Sequence, residues 1–180
     1  METSAIPPPE LPPPTTTVRL GSLEVSLPPL LTPKGGPLHK LSSAWAFWAQ
    51  KKVKKVTGGS WYEGTACVGR FDTVEGFWAL STRLARPETV SGSADIMLFR
   101  DGIRPMWEDD ANRVGGKWTI RMKKAGSGTV WDEAVMMAIG ETLDGAADIC
   151  GVIISLRYHE SSLSIWHKTS ESDAILSRLR

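Results

Sequence analysis

Two tryptophans stand in loop sequence. Trp61 follows Gly58-Gly59-Ser60, and Trp107 lies in Pro105-Met106-Trp107-Glu108, neither at a core position of a regular element. Two such rings held parallel about 7 Å apart leave room for one aromatic ring stacked on both faces. The alternative is that each ring anchors its own loop to the core. Glu108 directly follows Trp107. A carboxylate beside an aromatic wall can accept two parallel hydrogen bonds from the Watson–Crick edge of guanine, whose N–H donors are adjacent, and adenine cannot match it. As one of the acids Glu108-Asp109-Asp110, it also reads as an ordinary solvated loop charge. Arg157 closes a strongly apolar run and Lys117 opens another strand. Both suit phosphate oxygens, Arg as a planar fork and Lys as a point charge. Each alone is also a common strand-end charge.

Other chemistry is poorly provided for. There is no G-x-x-x-x-G-K-[ST] loop and no G-x-G-x-x-G after a strand. His39, His159 and His167 lack metal-ligand spacing, and no dense carboxylate cluster is present. Cys67 and Cys150 are the only cysteines and are far apart, which argues against a disulfide framework or a thiolate zinc site. The sequence thus predicts no enzyme, no metal and no cofactor. A formal net charge of +1 excludes a bulk-electrostatic grip on nucleic acid, though not local basic patches. No apolar run is long enough to span a membrane, and the Pro blocks near the start do not read as a signal peptide. A reducing compartment, cytosol or nucleus, fits these features. The 180 residues hold eight Trp against two Tyr and four Phe, an inverted ratio that asks for a use of large π-surfaces.

The elements that must position these residues follow from patterning. Residues 1–36 hold nine of the 12 prolines, no aromatic, and two basic against three acidic residues. They read as a disordered, partly polyproline II tail, either solubilising or a ligand for a partner. Residues 37–180 read as one folded domain. Strands are expected at 41–50, within 61–70, and at 95–102, 117–124, 148–158 and 162–168. The basic run 51–60 reads as a loop, with a further possible contact to an RNA backbone, and 103–116 as a polar loop. Helices are expected at 71–84, with Asp72 as cap and Glu75 completing a capping-box pattern, at 130–143, and from 171. The order β-β-α-β-β-α-β-β-α predicts an α+β fold: a curved, mostly antiparallel sheet with three helices on one face.

Taken together, HKLSSAWAFWAQK, SWYEG, FDTVEGFWAL, LFRDGIRPMWEDDANRVGGKW and ICGVIISLR…SIW resemble the eukaryotic translation initiation factor 4E family, in order from about His39 to Trp166. The resemblance implies a concave face that binds the 7-methylguanosine cap of mRNA. Trp61 and Trp107 match the two rings that sandwich the base, and Glu108 the carboxylate that reads it. Trp166 matches the ring that touches the methyl group, Arg157 a triphosphate contact, and Lys117 takes the place of another basic contact. The convex face is implied to dock the scaffold factor 4G, or a 4E-binding regulatory protein, through a Tyr-x-x-x-x-Leu-hydrophobic helix. His39, Val74, Trp78, Glu133 and Met136 match that surface, with Gly140 beside it.

Three positions depart from the family pattern. Its His-Pro-Leu is here His39-Lys40-Leu41, Asp132 stands where a leucine commonly meets the partner, and Ser162 where a phosphate-binding Lys is frequent. The family also usually continues beyond the point matching Arg180. The resemblance implies a cytoplasmic protein that recruits capped mRNA to translation. The alternative is a cap-binding repressor or specialised homologue that does not engage the usual scaffold. A cap-hydrolysing enzyme and a module that has lost cap binding are more distant readings.

Overall fold

The computed structural model describes residues 17–20, 23–26, 37–51, 64–143 and 145–169. In chain order the elements are β1 (Thr17–Leu20), β2 (Leu23–Ser26), β3 (Lys40–Lys51), β4 (Thr65–Thr73), α1 (Val74–Ser81) and β5 (Ala94–Arg100). They continue with α2 (Asp110–Arg113), β6 (Gly116–Lys123), α3 (Ser127–Ile139), β7 (Ile149–Leu156) and β8 (Glu160–His167). Six strands form one open, curved sheet in the order β4-β3-β5-β7-β8-β6, and every neighbouring pair is antiparallel.

The central strands bury both faces, which is why their sequences are nearly continuously apolar. Along β3, Trp45, Phe47 and Ala49 point to one face, and Ala46 and Trp48 to the other. The first face packs against α1 and α3 through Phe77, Leu80, Trp131, Ala134, Val135 and Ala138. Phe47, Phe71 and Phe77 form a ring cluster with centroids 5.4 to 6.1 Å apart. The second face carries a smaller cluster, Ala46, Trp48, Met97, Phe99, Cys150, Ile153 and Trp166. Gly151 is required there: a Cβ would come within 2.5 Å of the Leu98 carbonyl oxygen and the Phe99 ring.

Several boundaries differ from the sequence reading. Helix α1 is capped by Thr73, not Asp72: the Thr73 hydroxyl accepts from the Gly76 N–H at 3.0 Å. Pairing of β4 with β3 carries the extended backbone through Thr73, so the cap falls one residue later and Asp72 instead meets Lys40 at 2.5 Å. Glu75 turns to His39, taking its backbone N–H at 3.1 Å and its ring Nδ1 at 2.6 Å. Helix α3 begins three residues before the expected start and ends four before the expected end. The loop 103–116 contains the one-turn α2, whose Ala111 packs on the smaller cluster, opposite α1 and α3.

Within the zone read as lacking regular structure, β1 and β2 pair antiparallel. The signal was present in TVRL-GS-LEVS, two alternating runs around Gly21-Ser22. The expected helix from 171 and the basic loop beyond Lys51 lie outside the described residues.

Candidate functional site

On the face opposite α1 and α3, the ends of β5, β6, β7 and β8 and the loop after β5 enclose a cleft of about 280 Å³. Its floor is Trp166, only 4% exposed, wedged edge-to-face on Phe99 at 5.8 Å. Above it lies Trp107, 43% exposed, with ring centroids 4.1 Å apart and planes tilted by 36°. Trp107 thus packs its loop onto the buried Trp166 while remaining about half exposed. The Lys117 ammonium stands 5.5 Å from both ring centroids, within cation–π range of each. Glu108, exposed, lines the same cleft. The cleft thus collects Trp107, Glu108, Lys117 and Trp166. Trp61, the other expected wall, lies outside the described residues.

The loop carrying Trp107 and Glu108 is held by residues that the sequence reading passed over. The Asp109 carboxylate accepts from the N–H groups of Ala111 at 3.1 Å and Arg104 at 3.0 Å. The Asn112 side-chain amide, itself buried, donates to the carbonyls of Arg104 and Met106, both at 2.8 Å. Together they close the backbone on either side of Trp107. The signal was an Asp followed three residues later by an Asn, a local capping pattern inside an otherwise polar run.

Behind the cleft residue Asp95, Arg157 is not simply solvated. Its Nη1 donates to Asp95 Oδ1 at 3.0 Å and to the carbonyls of Leu156 at 2.6 Å and Ala94 at 3.3 Å. Asp95 is 2% exposed and lines the cleft. A charge-assisted pair of this kind fixes the guanidinium against Asp95. Asp95 opens the β5 strand pattern, and its role was not legible there, because β5 and β7 pair only in the folded sheet. Ser162 lies opposite Ser155 on the neighbouring strand, so the position where the family often carries a Lys offers hydroxyls instead.

The expected partner-binding residues gather on the helix face. Val74 and Trp78 are exposed on α1, Trp78 by 50%, while Phe77 between them is buried. Trp78 rests edge-on against Phe77 at 5.0 Å. Glu133, Met136 and Gly140 are exposed along and just after α3. Trp78, Val135 and Met136 line a groove of about 380 Å³ between the two helices. His39 lies at the start of the same face, and its hydrogen bond holds the Glu75 carboxyl below the ordinary carboxylate range. Asp132 is tied to Arg86 at 3.1 Å, and Arg86 also holds Glu88 at 2.8 Å. An ion-pair rim therefore borders the groove where a leucine would extend it.

Known proteins share both sequence and fold with this chain. The sequence profile of the Eukaryotic initiation factor 4E family matches residues 40–180. A eukaryotic translation initiation factor isoform 4E of Arachis hypogaea is 42% identical over 147 residues, 81% of this chain and 72% of that protein. The initiation factor NCBP of Triticum aestivum is 38% identical over 143 residues, 79% of this chain. The match spans only 62% of the wheat protein's length. A solved complex of C. elegans eIF4E-3 with the 4E-binding protein Mextli and cap analog superposes with a TM-score of 0.74 at 30% identity, covering 79% of this chain and 82% of that one. With a profile match over most of its length and relatives near 40% identity, the chain belongs to the eukaryotic initiation factor 4E family.

Proposed function

We propose that this protein binds the 7-methylguanosine cap of mRNA in the cleft opposite the helices, and a partner helix in the groove between α1 and α3. It acts by binding, not by catalysis, in the cytosol. The observation that carries the reading is the convergence of a half-exposed Trp107, a buried Trp166, Glu108 and Lys117 on one open cleft. Methylation at N7 gives the purine a positive charge. A cation over an aromatic face gains roughly 0.5–2 kcal/mol, the higher figure when desolvated. The stance of Lys117 over both rings supports this, since the same π-surface suits a cation. Trp61 supplies the second wall of the sandwich, Glu108 reads the guanine edge, and Arg157 and Lys117 hold phosphates. The solved relatives support the two-surface reading: one is a complex with a 4E-binding protein and cap analog.

The test is a titration with 7-methylguanosine triphosphate, followed by tryptophan quenching, with unmethylated GTP as control. Micromolar or tighter binding that strongly favours the methylated ligand is expected. No saturable quenching in a folded sample overturns the cap reading and leaves the helix groove as the working surface.

Recruitment of capped mRNA through scaffold factor 4G is the role this reading favours for the groove. One observation favours a second role, a cap-binding repressor that does not engage the usual scaffold. Asp132, locked to Arg86, puts an ion pair where the partner's apolar contact would extend. A pull-down in which scaffold 4G binds as strongly as it does to a typical family member removes that second role.

A further inference from the structure

Residues paired directly opposite one another in a sheet point to the same side, so the cleft face is laid out in rows that cross the strands. One row ends with Trp166 opposite Lys117, the aromatic end of the cleft. Four residues along β6, about 13 Å away, another row joins Asp95 to Ser155, Ser155 to Ser162, and Ser162 to Arg121. Asp95 and Ser155 line the cleft, as does Lys117 on the same strand as Arg121. The alternate residue Met122 on β6 packs on the helix side, with Leu163 of β8. Arg121 therefore belongs to the cleft face. It stands on the outermost strand of the sheet, two strands or roughly 10 Å from Ser155.

The charges on this face are not equally committed. Asp95 is answered by Arg157 Nη1 at 3.0 Å. Lys123, the next residue on this face of β6, lies opposite Glu160. The Lys117 ammonium stands over the two tryptophan rings. Arg121 is exposed, is paired opposite a serine, and makes no ion pair or hydrogen bond among the described residues. The cleft runs from the aromatic row to the row of Ser155. A ligand with its base on Trp107 and Trp166 that follows the cleft carries its phosphates toward that second row. There the hydroxyls of Ser155 and Ser162 lead to a guanidinium whose planar fork suits phosphate oxygens.

We propose that Arg121 is a phosphate-binding residue of this cleft, holding the part of the cap's phosphate chain farthest from the base; the proposal rests on the cap-binding reading.

The experiment measures dissociation constants of the full chain for 7-methylguanosine monophosphate and triphosphate at low and high salt. It compares the unaltered protein with Arg121→Gln, Arg121→Lys and Lys123→Gln. Arg121→Gln is expected to weaken the triphosphate by about fivefold, the upper end for a solvent-facing charge pair. Monophosphate affinity stays unchanged, and the remaining triphosphate binding depends less on salt. Arg121→Lys keeps most of the affinity. Lys123→Gln, whose charge already faces Glu160, changes little. Equal weakening of monophosphate and triphosphate overturns the proposal, because the substitution then acts at the base end or on the fold. Equal loss in Lys123→Gln overturns it too, since the field of the whole face is then responsible. So does an unchanged affinity for both ligands in Arg121→Gln. If the unaltered protein does not favour 7-methylguanosine triphosphate over GTP, the cap reading itself falls and this inference falls with it. That arm separates the two failures.

Discussion

The cleft and the groove lie on opposite faces of one sheet and are assembled by different means. The cleft takes Trp107 and Glu108 from a loop, Asp95 from β5, Lys117 from the start of β6, Ser155 from β7 and Trp166 from β8, with Arg157 joined to it through Asp95. Its contents meet only through strand register, such as Lys117 beside Trp166 and Ser155 beside Asp95. The groove takes most of its surface from two helices, α1 and α3, with the stretch between α1 and β5 closing one side. Its apolar residues recur at helical spacing, as with Trp131 and Val135. The difference is chemical as well. A cleft of charges around aromatic rings suits a small ionic ligand, whereas an apolar groove with a charged rim suits another helix.

A pair of adjacent substitutions separates what the two surfaces share from what each owns. Phe77 is buried beneath the groove, in the ring cluster with Phe47 and Phe71 that supports the whole sheet from the helix side. Phe77→Ala is expected to cost about 3–5 kcal/mol of stability, the range for large-to-small changes in a core. Denaturant unfolding reads this, and both binding activities fall with the folded fraction. Trp78→Ala, one residue on, leaves the midpoint nearly unchanged. It weakens a Tyr-x-x-x-x-Leu-hydrophobic peptide by about 30-fold, roughly 2 kcal/mol, as expected of a central aromatic anchor. Cap affinity stays the same. If the unfolding midpoint falls as far as it does for Phe77→Ala, Trp78 is core and the groove loses its main residue.

The mirror experiment is Trp107→Ala. Loss of the half-exposed ring is expected to weaken 7-methylguanosine triphosphate by at least about 30-fold, or 2 kcal/mol, with peptide binding untouched. Unchanged cap affinity, read by calorimetry, would remove Trp107 from the site. Asp132→Leu is a milder probe. It leaves Arg86 paired with Glu88 alone and adds apolar surface to the groove rim, and it should tighten a scaffold 4G peptide by a few-fold. A surface ion pair is worth less than about 1 kcal/mol, so stability moves little.

The smallest expected effect concerns acid. Glu141 accepts from the Ser43 hydroxyl at 2.7 Å and from Arg100 at 2.9 Å. The Ser43 hydrogen bond is the largest influence, and with Arg100 it outweighs burial to hold this carboxyl below its ordinary value. A carboxyl with a depressed folded-state pKa contributes stability that is fully present above the unfolded-state value. That stability is lost as pH falls through the folded-state value. Glu141→Gln should therefore flatten the acid limb of stability below about pH 4.3 and leave its shape near pH 7 unaltered. An unchanged acid limb, followed by thermal melts across that range, would show that the bond carries no linkage.

Much of this was legible in the residues. The strand and helix patterns are strong enough that β3, β5, β6, β7 and β8 fall within one or two residues of their expected positions at most ends. The exceptions are local competitions, as where β4 pairing pushed the α1 cap from Asp72 to Thr73. Part of the tryptophan excess resolves by position: Trp45, Trp48, Trp131 and Trp166 fill the two sides of the sheet, while Trp78 and Trp107 stay about half exposed. Motif order alone pointed to the family. It also placed Trp107, Glu108, Lys117, Arg157 and Trp166 as candidates for a single site.

Residue types and their local spacing determined the elements, because helix and strand periodicity and loop chemistry act over a few neighbours; the resemblance of longer motifs carried the family and the candidate recognition residues. Only the tertiary structure decided that Trp107 lies on Trp166 under the Lys117 ammonium. The same holds for the clamp of buried Asp95 on Arg157 and the tie between Asp132 and Arg86. Those contacts join residues between 10 and 62 positions apart along the chain. Sheet register and helix docking set them, and no local pattern of residues encodes which distant side chains will meet.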